Sequence, residues 1–128
     1  MKATKTVWAS WILSILISCQ FAFSALAKIF PQTFYPQMPE QMAKIGLPLS
    51  ILPLLATLEL LCVVVYLIPV TAVLGAVLFT GYLGGAMLTH LRVGENVTMH
   101  VVLGLLIWLG IYLREPRLHA VLPFRKKG

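Results

Sequence analysis

The sequence predicts an all-α protein, a bundle of four transmembrane helices with up-down topology. Hydrophobic residues make up 59% of the 128 residues and charged residues only 11%, whereas soluble domains are about half apolar and about a quarter charged. The apolar residues are collected in four long runs that prolines or short polar segments separate. This composition argues against a soluble enzyme, a disordered chain and a nucleic-acid-binding protein.

The first apolar run, residues 8–27, contains no charged residue. A helix of this length crosses roughly 30 Å of hydrocarbon. Its small residues recur at every fourth position and predict a stripe for close helix packing: Ser10, Ser14, Ser18 and Ala22. A cleavable signal peptide ending near residues 25–27, or a lipoprotein-like signal at residues 16–19, is the alternative interpretation. The length of the run and its early Trp8 favour a retained membrane helix.

The second and third runs are nearly fused, because residues 45–89 contain only one charged residue, Glu59. One helix of that length would be roughly 68 Å long and would exceed the bilayer thickness, so the chain must turn back. Pro69 marks the turn, since proline ends one helix and suits the first turn of the next. The predicted spans are residues 8–27, 49–68, 70–89 and 97–113, within a single membrane domain that covers residues 1–128.

The connecting segments predict the orientation. Residues 29–46 carry three prolines, which exclude a continuous helix through the middle. Residues 90–96 form a short polar loop, and residues 114–128 form a basic tail. With four spans, both termini share one side, which holds seven lysines and arginines against three on the other. The positive-inside rule therefore predicts cytoplasmic termini in a bacterial plasma membrane.

Polar side chains within or beside the outer halves of the spans are the candidate ligand-binding residues, because such groups are costly in hydrocarbon. Glu59 lies roughly 15 Å deep at the helical rise and would be the floor of an outward-facing polar pocket. The inner half offers nothing comparable. A neutral Glu59, simply hydrogen-bonded to Gln20 or Tyr82, is the structural alternative. The candidates are Gln20, Lys28, Glu59, Tyr82, His90, Arg92 and His100, of which Lys28, His90 and Arg92 are expected at the outer mouth of the pocket.

Other features predict packing rather than chemistry. Gly81 and Gly85 lie four residues apart and predict close approach of another helix. Cys19 and Cys62 are expected to be apolar thiols, with their redox activity left open. No metal site is predicted, since no pair of ligating residues has helical ligand spacing.

Six segments spread along the chain form a pattern that is typical of one protein family: residues 24–28, 45–48, 58–60, 67–76, 85–94 and 112–116. Through these segments the chain resembles the DoxX-like family of small four-helix membrane proteins over nearly its full length. Ser24 stands where members often have a glycine. The resemblance implies a membrane bundle, and the family names imply links to quinone-reducing sulfur oxidation and membrane oxidative-stress complexes.

Three functional hypotheses follow. The preferred one is a pocket for a lipophilic molecule, such as a non-covalently bound quinone, in an accessory subunit of a membrane redox system. Its partners would be membrane lipid, the small molecule, and a redox protein or a second copy of the chain, with no nucleic acid. The alternatives are a membrane-protein assembly or interaction factor, and a small enzyme in which Glu59 and His100 transfer protons.

Overall fold

The computed structural model describes residues 5–125, and these residues form helices and turns without any β-strand. Single 3-10 turns at Leu49–Ile51 and Pro69–Thr71 precede two of the helices, and a longer one lies at Pro116–Ala120. The all-α fold class is confirmed. The helices are α1 (Lys5–Ile29), α2 (Pro31–Phe34), α3 (Met38–Ile45), α4 (Leu52–Leu67), α5 (Ala72–Leu91) and α6 (Thr98–Arg114).

The four long helices form a closed ring with up-down topology. Helix α1 packs against α4 and α6, and α5 packs against the same two helices. Three segments are long and apolar enough to cross a membrane, namely Lys5–Ile29, Leu49–Leu67 and Pro69–Leu91, while α6 is a shorter apolar helix. Large apolar side chains on their outer faces are exposed, as expected where lipid covers the bundle.

Prolines set the helix boundaries. Helix α4 ends at Leu67, Ile68 is extended, and Pro69 begins the turn that leads into α5. Helix α3 was not predicted, because the prolines of residues 29–46 were expected to prevent regular structure. Pro39 instead lies in the first turn of α3, where a proline has no hydrogen bond to lose. Gly46 ends α3 with a φ of +76°, a conformation that glycine adopts without steric cost.

The predicted small-residue stripe of α1 packs inside the bundle. Ser10, Ser14 and Ser18 are all buried. A Cβ added to Gly110 would lie 3.0 Å from Ser14 Oγ and 2.7 Å from Tyr66 Oη, so α1, α4 and α6 converge there. This packing confirms the stripe at its three serines, whereas Ala22 is only partly buried.

No helix of the described bundle makes the predicted close approach at Gly81 and Gly85. A Cβ added at either position, or at Gly84, would have no heavy atom within 4 Å. The close approach occurs instead at Gly75, where an added Cβ would lie 2.3 Å from Tyr66 Cα. Spacing identifies a surface without side chains, but it does not show whether a neighbouring helix occupies that surface.

The end of the bundle at which α1 begins and α6 ends also contains a polar cluster, although the sequence predicts nothing there comparable to the outer half. Arg114 Nη2 donates to the Tyr66 carbonyl at 2.6 Å. The guanidinium lies 4.3 Å from the ring centre of Trp11 and 4.7 Å from that of Tyr66, a cation–π arrangement. The prediction failed because Arg114 was counted in the basic tail, whereas it is the last residue of α6. Lys2, Lys126 and Lys127, which belong to the predicted cytoplasmic charge, lie outside the described residues.

Candidate functional site

A cavity of about 730 Å³ lies in the half of the bundle that contains α3. Helices α1, α3, α4, α5 and α6 all contribute to its wall, and most of the lining residues are apolar or aromatic. Met38, Met42 and Ile45 of α3 are buried and line the cavity. Helix α3 therefore covers this end of the bundle with its apolar face.

Glu59 lies in the cavity wall with only 1% of its surface exposed. Its Oε1 atom forms an ion pair with Lys28 Nζ. It also accepts hydrogen bonds from Tyr82 Oη at 2.6 Å and from Ser24 Oγ at 3.3 Å. Lys28 Nζ in turn donates to Ser24 Oγ at 2.7 Å. Three helices, α1, α4 and α5, thus contribute donors or acceptors to one network.

The second oxygen of the Glu59 carboxylate is the unusual feature of this network. Glu59 Oε2 is buried and has no hydrogen-bond partner within residues 5–125. An unpaired buried polar atom costs about 1–3 kcal/mol, more when it is charged. Native structures seldom leave such an atom unpaired, so it identifies a place where a further donor would be stabilised.

The pairing of Lys28 with Glu59 differs from the predicted arrangement, in which Lys28 was at the pocket mouth and Glu59 at the floor. Ser24 and Lys28 lie one helical turn apart on the same face of α1. The long Lys28 side chain extends along that face to the carboxylate. The lengths of the apolar runs give the depth of each residue along its own helix. They do not give how far α1 is displaced along the bundle axis relative to α4.

The remaining predicted residues divide into two groups. Gln20, His90 and His100 line the cavity together with Lys28, Glu59 and Tyr82. Gln20 is exposed and makes no hydrogen bond to Glu59 in the described part of the chain. Arg92 is not among the lining residues, and its Nη2 donates to the Ile45 carbonyl at 2.5 Å. Arg92 therefore holds the end of α3.

The two histidines lie side by side at the cavity wall. The ring centres of His90 and His100 are 5.0 Å apart, and His100 Nδ1 is buried without a partner among the described residues. His90 Nδ1 lies 2.6 Å from Glu95 Oε1. His90 thus connects the cavity to the loop between α5 and α6.

Glu95, which the sequence analysis did not select, ties α3 to that loop. Its carboxylate binds Lys44 Nζ at 3.0 Å and accepts from Gln41 Nε2 at 3.2 Å. The hydrogen bond with His90, followed by those with Lys44 and Gln41, lowers the pKa of Glu95 to about 2. The chain has only four acidic residues, and this scarcity was the one available signal for Glu95.

This lowered pKa predicts that α3 is released in strong acid. The ordinary pKa of the group is 4.5, so the stabilisation is present above that pH and disappears as the pH falls through about 2. We expect the methyl NMR signals of Met38 and Met42 to shift with a midpoint near pH 2. Glu95→Gln should produce the shifted signals already at pH 6. Glu40→Gln, a substitution within α3 itself, should not. Unchanged methyl signals in Glu95→Gln would contradict this role of Glu95.

The comparisons with known proteins agree with this architecture. A family model described as the DoxX-like family matches residues 12–111. The matched segment includes Ser24, Lys28, Glu59 and Tyr82, the four residues of the ion-pair network. Neither the comparison with curated proteins nor the comparison with solved structures finds a significant match. The match covers most of the chain and confirms the resemblance, so the protein is an integral membrane protein of the DoxX-like family.

Proposed function

We propose that this protein binds a lipophilic molecule with a polar head group, such as a quinone, in the cavity beneath α3. The observation that carries the proposal is Glu59, which lies in the wall of a mostly apolar cavity and whose buried Oε2 has no partner among residues 5–125. The volume of about 730 Å³ falls within the range of small-molecule sites. Binding of a polar head would remove the cost of the unpaired oxygen, and apolar walls would hold the remainder of the molecule.

The opening of the cavity supports a lipophilic ligand. Gln20, Gly81, Gly85 and Met99 line the cavity and are also exposed. These residues belong to long apolar helices, and the two glycines leave open space where side chains would otherwise stand. A hydrocarbon tail could therefore extend from the cavity toward the lipid-facing surface.

Filling this opening tests the proposal. Gly85→Leu places a large side chain in the cavity, where an added Cβ meets no other atom, so the fold should be retained. We expect native mass spectrometry of the purified variant to show loss of a co-purifying lipophile. Binding of an added quinone with a ten-carbon tail should weaken by about tenfold or more.

Gly84→Leu is the matched control. Gly84 is the adjacent residue of α5, also has free space around an added Cβ, and does not line the cavity. It should bind the quinone as the unmodified protein does. Equal binding by both variants and the unmodified protein, or no lipophile bound to any of them, would refute the proposal.

The accessory role in a membrane redox system, with a redox partner or a second copy of the chain, is part of this proposal. Its support is the family resemblance together with the cavity. We also propose that both termini face the cytoplasm of a bacterial cell, on the charge asymmetry of the sequence. The proton-transfer alternative, with Glu59 and His100 as acid and base, stays a prediction.

The assembly-factor alternative is favoured by one observation, the exposed glycines of α5. Gly81, Gly84 and Gly85 leave a helix surface without side chains or neighbours, which would permit close packing of another transmembrane helix. The same variants separate the two functions. A helix-packing role predicts that Gly84→Leu is as damaging to partner binding as Gly85→Leu, whereas a cavity role predicts an effect of Gly85→Leu alone.

A further inference from the structure

We infer that the ligand is held by a hydroxyl group that donates a hydrogen bond to Glu59 Oε2, so that within the quinone class the site selects the reduced hydroquinone over the quinone. This inference rests on the proposed function and specifies the chemical class of its ligand. It follows from which donors and acceptors of the site are already paired.

Glu59 lines the cavity, and its Oε2 is an acceptor without a partner among the described residues. Lys28, Tyr82 and Ser24 all direct donors at Glu59 Oε1, and Lys28 is its ion-pair partner. An ionised carboxylate has no proton to donate. A ligand group that reaches Oε2 must therefore supply the donor of the hydrogen bond.

The neighbouring donors are largely occupied. The single O–H of Tyr82 and that of Ser24 are used on Glu59 Oε1, and Lys28 uses two of its three N–H groups on Glu59 and Ser24. The remaining N–H of Lys28 can be accepted by a hydroxyl oxygen as well as by a carbonyl oxygen, so it does not discriminate.

A quinone and a hydroquinone differ in the group that each would place next to Glu59 Oε2. A quinone carries only carbonyl acceptors there, and its oxygen would face the carboxylate oxygen with both left unpaired. A hydroquinone hydroxyl donates to Oε2, and hydrogen bonds to a charged acceptor are the stronger kind. His100 Nδ1, the other buried atom of the cavity wall without a partner among the described residues, accepts or donates according to its tautomer. The exposed Gln20 amide carries both a donor and an acceptor, so the selection falls to Glu59.

Three probes with the same ten-carbon tail test the inference on the unmodified protein: a benzohydroquinone, its quinone and its dimethyl ether. Affinities would be measured by equilibrium dialysis in detergent under anaerobic reducing or oxidising conditions. The hydroquinone should bind about tenfold or more tightly than either other probe. Quinone or ether binding as tight as that of the hydroquinone would overturn the inference and leave the proposed function standing. Absence of binding by all three would remove both.

The double variant Lys28→Gln with Glu59→Gln assigns the selectivity to the carboxylate. It removes both charges together and therefore leaves neither one buried alone. The hydroquinone preference should fall to about twofold or less, whereas Glu40→Gln, an acid-to-amide change at an exposed position, should retain it. A double variant that keeps the full preference would overturn the inference, and the three-probe comparison decides it without any variant.

Discussion

Gly75→Ala is expected to destabilise the bundle by more than about 4 kcal/mol, the range of exceptional single substitutions. The added Cβ would lie 2.3 Å from Tyr66 Cα, 2.4 Å from its N and 2.8 Å from its Cβ. Two of these atoms are backbone, so no change of side-chain conformation can relieve the overlap. Helices α4 and α5 would have to separate.

Separation would also disrupt the packing around this contact. Phe79, one turn further along α5, is fully buried against Tyr66 with ring centres 5.5 Å apart. Tyr66 Oη donates to the Ile107 carbonyl at 2.6 Å and would be displaced from α6 as well. The loss would thus extend beyond the helix pair, because Tyr66 of α4 contacts α6 as well as α5.

Thermal unfolding in detergent, followed by circular dichroism, measures this effect. Gly81→Ala is the matched control, since it is the same substitution in the same helix with free space around the new Cβ. It should change stability by no more than about 0.5 kcal/mol, or stabilise α5 slightly. If the two variants unfold alike, the close contact between α4 and α5 is wrong.

Lys28→Met is expected to destabilise the protein by about 3–5 kcal/mol, because it leaves the Glu59 carboxylate buried without its counter-charge. Glu59 is 1% exposed, and Lys28 is 17% exposed. The hydrogen bonds from Tyr82 and Ser24 remain but carry no full positive charge. Adding Glu59→Gln to Lys28→Met should recover much of the loss, since the uncompensated charge is then removed.

Lys44→Met provides the comparison for this prediction. Lys44 also pairs with a glutamate, Glu95, but its side chain is 60% exposed. Exposed ion pairs contribute about 0–1 kcal/mol, so this variant should unfold close to the unmodified protein. Similar losses in the two lysine variants, or no recovery in the double variant, would show that the pair with Glu59 is not a buried charge pair.

The sequence was sufficient for the fold class because hydrocarbon thickness fixes the length of a spanning helix. Pro69 within a long apolar run likewise required a reversal of the chain. Helix α3 could not be predicted in the same way, since its few residues carry both a proline and charged side chains. Its stability comes from apolar contacts over the cavity and from bonds to Glu95 and Arg92, which are distant in sequence.

The candidate site was predictable only in part. Glu59 was identifiable because ionisable residues within apolar runs are rare. Its contacts with Lys28 and Ser24 depend on how α1 and α4 are placed relative to each other along the bundle axis. No local sequence pattern contains that information. The sequence likewise does not show that Gly75 rather than Gly81 makes the close contact with α4, because both glycines lie in equally apolar sequence.

The exposed glycines beside the cavity have a consequence for how a molecule would arrive there. Gly81 and Gly85 line the cavity and are exposed on a long apolar helix, so a ligand of the proposed kind that is dissolved in the leaflet would be able to enter from the side, without crossing the layer of headgroups. The fraction of protein with ligand bound would then follow the mole fraction of the ligand among the lipids, rather than the concentration of the ligand in water. If the ratio of lipid to protein is changed while the total amount of ligand is kept constant, the fraction of protein with ligand bound should therefore change.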